Sequence, residues 1–370
     1  MADARVERLA SVLVDYSTAV KPGDLVLIEA TALAAPLVRA VHRRVVEAGG
    51  QPRTRIAIAG VAETLFLHAS DDQLDWVNPS RYVDFEKADV RMHLLAELNT
   101  RSLSGVDPAR QARMARANEK LRDITMNRAA AGELRWTVTL FPTQAAAQDA
   151  EMSLAQYEDF VYGAGLVDRE DAVAQWTSFG QRLSRLAEWL GAKKELRVVA
   201  DGTDLRLGVA GRRWISCDGK ENFPDGEVFT GPVETSLEGE ISFTFPAAFA
   251  GRSVEGIRLV FTEGEVVEGT ARRGQEFLRE MLAMDDGARR AGEFSFGMNE
   301  SIQEFTRNTL FDEKIGGTVH LALGKSYPES GGTNQSGLHW DLVCDLRQGS
   351  EVYADGELVY RDGSFLDGIG

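Results

Sequence analysis

The 370-residue sequence predicts an α/β protein in two parts: a layered α/β domain over residues 1–190, with bridging helices, and a β-rich α+β domain over residues 191–370. Three observations carry this reading. The chain is longer than one compact core usually fills. Its first half alternates strand-like and helix-like segments, the pattern of a mostly parallel sheet covered by helices. From about residue 195 short alternating segments separated by glycine turns take over, as in a twisted antiparallel or barrel-like sheet.

The elements follow in order. DLVLIEA (24–30) is an apolar, branched run after the turn of KPGD. The helical stretch PLVRAVHRRVVEAGG comes next, and its closing glycine pair suits a helix C-terminus. TRIAIAG (54–60), VRMHLLAE (90–97) and LRWTVTLFPT (134–143) repeat the strand signal. SLAQYEDFVYGAGL and residues 169–192 read as helices bridging to the second part. There, ELRVVA, TDLRLGVA, EISFTFPAAFA, IRLVFTEGEVVEG, EFSFGM, TVHLALG, HWDLVCDL and EVYADGELVY read as strands, and GQEFLREMLAMDDGARRAG as one helix.

Composition narrows the function classes. An excess of 57 acidic over 41 basic residues gives a net charge of −16, which argues against nucleic-acid binding and suits a cation. No apolar run approaches the ~20 residues that span a bilayer. The N-terminal MADARVERLASVLVDYS spreads charges through an amphipathic helix and lacks a signal core, so a cytoplasmic protein is expected. Two cysteines, Cys217 and Cys344, offer neither a disulfide framework nor a thiolate cluster.

The strongest site signal lies in NQSGLHWDLVCDLR (334–347). Strand side chains alternate, so His339, Asp341, Val343 and Asp345 share one face, and Leu338, Trp340, Leu342, Cys344 and Leu346 the other. One face is a core face; the other sets an imidazole beside a carboxylate. Of the remaining histidines, His42 and His68 read as surface or helix-end residues and His93 as a hydrogen-bonded core residue. His320 in TVHLALG shares its face with Ala322 and Gly324, small neighbours that leave room for a ligand. Glu293 heads the polar face of EFSFGMN, Glu227 follows the Pro-Asp-Gly turn of NFPDGEVFTGP, and Glu313 stands in LFDEKIGG just before the His320 strand.

Any one of these acids is ordinarily a surface ion-pair partner. Two imidazoles with several carboxylates and no thiolate cluster form a donor set for Zn²⁺, Co²⁺ or Mn²⁺. More than three carboxylates exceed the need of one ion and point to two sharing a bridging acid. Rival motifs fail. GKS (324–326) has Val319 where a phosphate loop needs its first glycine, and there is no Gly-x-Gly-x-x-Gly, His-Glu-x-x-His or Gly-x-Ser-x-Gly.

These residues fall in blocks that resemble the M29 family of metallo-aminopeptidases, the thermophilic aminopeptidase group. The resemblance begins at DYSTAVKPGDLVLIEA and is densest in NFPDGEVFTGP, AGEFSFG, NTLFDEKIGGTVHLALGKSYP and NQSGLHWDLVCD, in the family's order. It implies a two-metal site held by Glu227, Glu293, Glu313, His320, His339 and Asp341, with Tyr327 of GKSYP as the family's functional tyrosine. It further implies metal-assisted hydrolysis of the first peptide bond by an activated bridging water. Tyr327 would donate to the oxyanion, and Glu227 or Glu293 would both ligate and carry protons. A homodimer taking short peptides with a free N-terminus is expected. Two departures stand out: EKIGG between Glu313 and His320 is longer than in the better-known members, so Glu313 is expected to be the least secure ligand, and the chain is shorter overall.

Two other readings share the architecture. Ring-opening dihydroxypyridine dioxygenases are distantly similar, and His320, His339 and Asp341 would satisfy a two-His, one-carboxylate iron site. That reading leaves Glu227 and Glu293 without a metal role. A non-catalytic peptide-binding relative would have lost a ligand, and none is lost here.

Overall fold

The computed structural model describes residues 3–249 and 252–369. It shows a mixed α/β fold that divides into two compact units, Met1–Trp176 with Gly219–Pro224, and Thr177–Asp218 with Asp225–Gly370.

In the first unit five strands form a parallel sheet in the order Gln51–Ala57, Leu25–Thr31, Val90–Leu95, Arg135–Leu140, Asn222–Phe223. The interior Leu25–Thr31 strand buries Val26, Leu27 and Ile28, as its apolar, branched run requires. The Gln51–Ala57 strand lies at the edge and is mostly exposed, a position that tolerates Pro52. It starts three residues earlier than its sequence pattern indicates, directly after the helix Ala35–Glu47 and its glycine turn. His93 is not a core residue. Val90, Met92 and Leu94 take the buried face of its strand, so strict alternation turns His93 outward, in register with Glu29. His42 and His68 are exposed, and His68 ends the helix Val61–His68.

The division at 176/177 falls inside the helix Ala172–Gly191 and not at the expected 190/191. The reason is which residues the helix touches. Beyond Thr177, Phe179 stands against Gly226, and Ser184 hydrogen-bonds Ser216. The return of residues 219–224 to the first unit has a similar cause. Phe223 packs on Trp176 with ring centroids 4.9 Å apart, and its strand pairs with Val138 and Thr139.

Among the described residues the second unit holds three antiparallel sheets, the smallest the pair Ala247–Phe249 and Arg252–Val254, where a barrel-like sheet was one expectation. An eight-stranded sheet runs from Glu265–Thr270 at one edge to Ser364–Phe365 at the other. A five-stranded sheet has the order His339–Asp345, Thr318–Gly324, Ala291–Gly297, Glu227–Thr230, Ile215–Cys217. The predicted helix covers only Gln275–Leu282, because the Asp285–Gly287 turn ends it early. Across its three strands His339–Asp345, Thr318–Gly324 and Ala291–Gly297 the underside of the five-stranded sheet is apolar: Phe294, Leu321 and Leu342 form one cross-strand row, and Phe296, Val319 and Cys344 the next. Phe296 meets Tyr360 and Phe365 of the larger sheet at 5.6 and 4.9 Å, and Trp340 meets Phe249 and Phe277 at 6.0 Å. Each such buried side chain contributes about 1.5–3 kcal/mol, and together they anchor a sheet whose other face is charged. Among the described residues no helix is long and apolar enough to cross a membrane.

Candidate metal centre

Register places the candidate residues. Directly paired residues of an antiparallel sheet project to the same face. Glu293 pairs with Ala322, which pairs with Asp341; Ser295 pairs with His320; Gly324 pairs with His339; and Gly297 pairs with Glu227. The small residues Ala322 and Gly324 therefore sit between the larger polar ones and keep the middle of the face open. The strand that carries Glu293 has a bulge at Gly292, where two residues oppose one. A Cβ there would stand 2.4 Å from the carbonyl oxygens of Gly324 and Lys325, so only glycine fits the bulge that aims Glu293. Glu313 comes from outside the sheet, as the residue that closes the short helix Thr309–Asp312.

The side chains meet in a ring. His320 Nε2 lies 3.2 Å from Glu293 Oε1 and 3.5 Å from Glu227 Oε2. His339 Nε2 lies 3.6 Å from Glu293 Oε2 and 3.5 Å from Asp341 Oδ1. Glu313 accepts from the ammonium of Lys314, which stands 3.5 Å from Glu227 Oε1, and the Glu313 carboxylate acts electrostatically on Asp341. Ser295 Oγ donates to Glu227 Oε2 at 3.2 Å. Glu227, Glu293 and His320 are almost fully buried; Glu313, Asp341 and His339 are partly so.

The orientation of the imidazoles is informative. Nδ1 of His320 faces the Glu313 carbonyl at 3.2 Å, and Nδ1 of His339 faces the Lys325 carbonyl at 2.9 Å. A carbonyl only accepts, so each Nδ1 is the donor and each Nε2 is turned to the carboxylates. This is how metal-binding histidines are held. Donor atoms 3.2–3.6 Å apart have the spacing of ligands that share one ion with bonds of about 2.0–2.2 Å. Donor type and spacing thus fit divalent cations. Glu227, Glu293 and His320 form one compact group, Glu293, His339 and Asp341 another, and Glu293 belongs to both.

The electrostatics agree with a cluster that draws positive charge. Burial disfavours a charged His320, yet its hydrogen bond to Glu293 and the nearby Glu227 raise it to about 10. Burial pushes Asp341 up, and the neighbouring Glu313 carboxylate adds to the effect. Burial also works against the charged form of Glu313, but Lys314 and His320 outweigh it and hold the group low. Lys314 is pushed well above its usual range by Glu227 and Glu313, against its own desolvation.

Tyr327 lies beside this face. Its ring contacts Phe229 edge-on at 5.5 Å and His339 at 5.2 Å, and 41% of the residue is exposed. Three contributors were not singled out from sequence. Lys314 is the most consequential; its signal was a lone basic residue in LFDEKIGG, where the other charges are acidic. Asp225 belongs to the Pro-Asp-Gly turn, and its carboxylate gathers with Cys217 and Glu227. Cys217 is a lone sulfur there, and burial pushes its thiol well up, so it adds no thiolate.

A sheet face with a carboxylate–imidazole ring and both imidazoles held from behind defines a metalloenzyme-type donor site. A family model described as Thermophilic metalloprotease (M29) matches residues 2–365, and the chain belongs to that family. It is similar to Aminopeptidase 2 of Geobacillus stearothermophilus, 28% identical with 98% of each chain covered. Among solved structures it is similar to wild-type AmpT from Thermus thermophilus, with a TM-score of 0.84, 24% identity, and 98% of this chain and 99% of the other covered. A looser likeness, TM-score 0.60 and 14% identity, covers 99% of this chain and 98% of 2,5-dihydroxypyridine dioxygenase from Pseudomonas putida. The fold is therefore common to both architectures, and the family assignment rests on the sequence.

Proposed function

We propose that the chain is a metal-dependent aminopeptidase that removes the N-terminal residue from short peptides. The observation that carries this reading is the double contact of Glu293, one oxygen toward His320 and the other toward His339. It supports a bridging acid between two ion positions, held by Glu227, Glu293, Glu313, His320, His339 and Asp341. When bound, the pair of divalent ions (Zn²⁺, Co²⁺ or Mn²⁺) supplies Lewis acidity to the scissile carbonyl and makes water acidic enough to attack at neutral pH.

The protein's own groups do the rest. Glu227 or Glu293 takes the proton from the attacking water and returns it to the leaving amine, so the peptide C–N bond breaks as a new C–O bond forms. The Tyr327 hydroxyl, on the rim of the same face, donates to the oxyanion. The substrate's free, deprotonated amine is a ligand for a bound ion, and a blocked N-terminus does not offer it. The β-rich part of the chain, expected over residues 191–370, carries all of these groups. We further propose that the enzyme works as a homodimer in the cytoplasm.

The iron dioxygenase reading fits less well. His320 and His339 fall in different three-residue groups, joined only through Glu293. A single iron on His320, His339 and Asp341 leaves the Glu227 and Glu293 side unexplained. The deciding experiment compares leucine p-nitroanilide with its N-acetylated form, using chelator-stripped protein refilled separately with Zn²⁺, Co²⁺, Mn²⁺ or Fe²⁺. Metal-dependent cleavage of the free-amine substrate alone is the expected result. Cleavage of both forms sinks amine selectivity, and cleavage of neither sinks the peptidase reading.

A further inference from the structure

Lys314 is the one permanent cation named in the ring, and it occupies ground the two-ion reading needs. Its side chain is 2% exposed, and its ammonium contacts Glu227 and Glu313, two of the six candidate ligands. A divalent ion held by those same carboxylates would stand a few ångströms from that ammonium. Like charges so close in a buried site repel by several kcal/mol even at an effective dielectric of about 20.

The lysine backbone is not free to retreat. Its N–H donates to the Phe311 carbonyl at 3.0 Å, and its carbonyl accepts from Asn299 N–H at 3.1 Å. The next residue, Ile315, is fully buried. Gly316 N–H donates to the carbonyls of Asn299 and Ile302, and a Cβ on Gly316 would lie 2.8 Å from the Glu300 Cα. Only the side chain can move. Asp225, whose carboxylate gathers within 4.8 Å of a Glu227 oxygen, gives the ammonium an acid to swing toward.

We propose that Lys314 is an internal competitor for the second metal ion, so that the centre loads unequally. The ion on the Glu293–His339–Asp341 side enters with Lys314 in place; the ion on the Glu227–Glu293–His320 side, where the ammonium contacts Glu227, enters only as the ammonium withdraws. This rests on the metal-centre reading above and adds to it a built-in difference between the two positions.

The test is calorimetric titration of the chelator-stripped full chain with Mn²⁺ alone, with metal content by elemental analysis, on wild type, Lys314→Met and Lys314→Arg. Wild type is expected to bind in two steps, the second weaker by about tenfold or more, and Lys314→Met to tighten the second step by about tenfold or more while leaving the first within about threefold. Lys314→Arg keeps the charge and should keep the weak second step. Two equal tight sites in wild type overturn the proposal, and so does a Lys314→Met isotherm that matches wild type, whether with one site or two. If Lys314→Met does not fold, the wild-type and Lys314→Arg isotherms still decide, because equal sites in either one refute competition. Failure of the underlying reading looks different: wild type then binds no Mn²⁺, or binding survives Glu293→Gln and His339→Ala unchanged, and the competition falls with it.

Discussion

Each unit carries a charged cluster on a sheet, and the two clusters balance differently. On the parallel sheet, Glu29 is bracketed by Arg91 at 2.6 Å and Arg55 at 3.1 Å, and Arg91 also donates to Thr125 at 2.8 Å. One acid meets two permanent cations, so the acid is fully paired and this cluster has no excess of negative charge. On the antiparallel sheet, Glu227, Glu293, Glu313 and Asp341 face one permanent cation, Lys314, and two histidines whose charge depends on protons. The remainder of the charge has to come from protons or metal. Since uncompensated buried charge costs several kcal/mol per ion, the sign of the imbalance, more than the presence of acids, separates a binding site from a structural ion pair.

That contrast can be broken most forcefully at Glu293. Glu293→Gln keeps the shape of the side chain and removes the charge shared by both groups. We expect peptidase kcat to fall by on the order of a thousandfold or more, with bound metal lost and the circular dichroism spectrum unchanged. Retained activity and metal content would mean that the imbalance has another purpose. Tyr327→Phe comes next, with a drop of about a hundredfold in kcat at nearly constant KM, as for a donor used mainly in the transition state. A change confined to KM would make Tyr327 a substrate contact instead.

Smaller effects sharpen the comparison. Gly316→Ala forces a Cβ against the Glu300 backbone, and we expect it to cost about 1–3 kcal/mol, read as a lower midpoint in urea unfolding. Glu29→Gln should lower the melting temperature by a few degrees while metal content stays at the wild-type level. Metal loss from Glu29→Gln would show that the parallel-sheet cluster is not the self-contained ion pair its geometry describes.

Much of the site was legible because strand alternation is a local property. His339 and Asp341 share a polar face opposite Trp340 and Leu342, and Glu293 stands opposite Phe294 and Phe296, whatever these strands pair with. The same rule, applied without a burial reference, misplaced His93: an apolar strand has two faces, and sequence does not say which one a sheet will cover. The domain break was misplaced for a related reason. A continuous amphipathic helix carries no mark of where its neighbours change from one unit to the other.

By itself the sequence determined the strand–helix alternation of the first part, the longer strands of the second, and the candidate donors in family order with their faces. These depend on side-chain periodicity and residue chemistry within a few positions. Tertiary structure alone decided the rest: that Ala322 separates Glu293 from Asp341, that each imidazole Nδ1 is held by a backbone carbonyl, and that Lys314 closes the ring between Glu227 and Glu313. Such facts follow from strand register and from contacts between residues distant in the chain, which local periodicity does not encode.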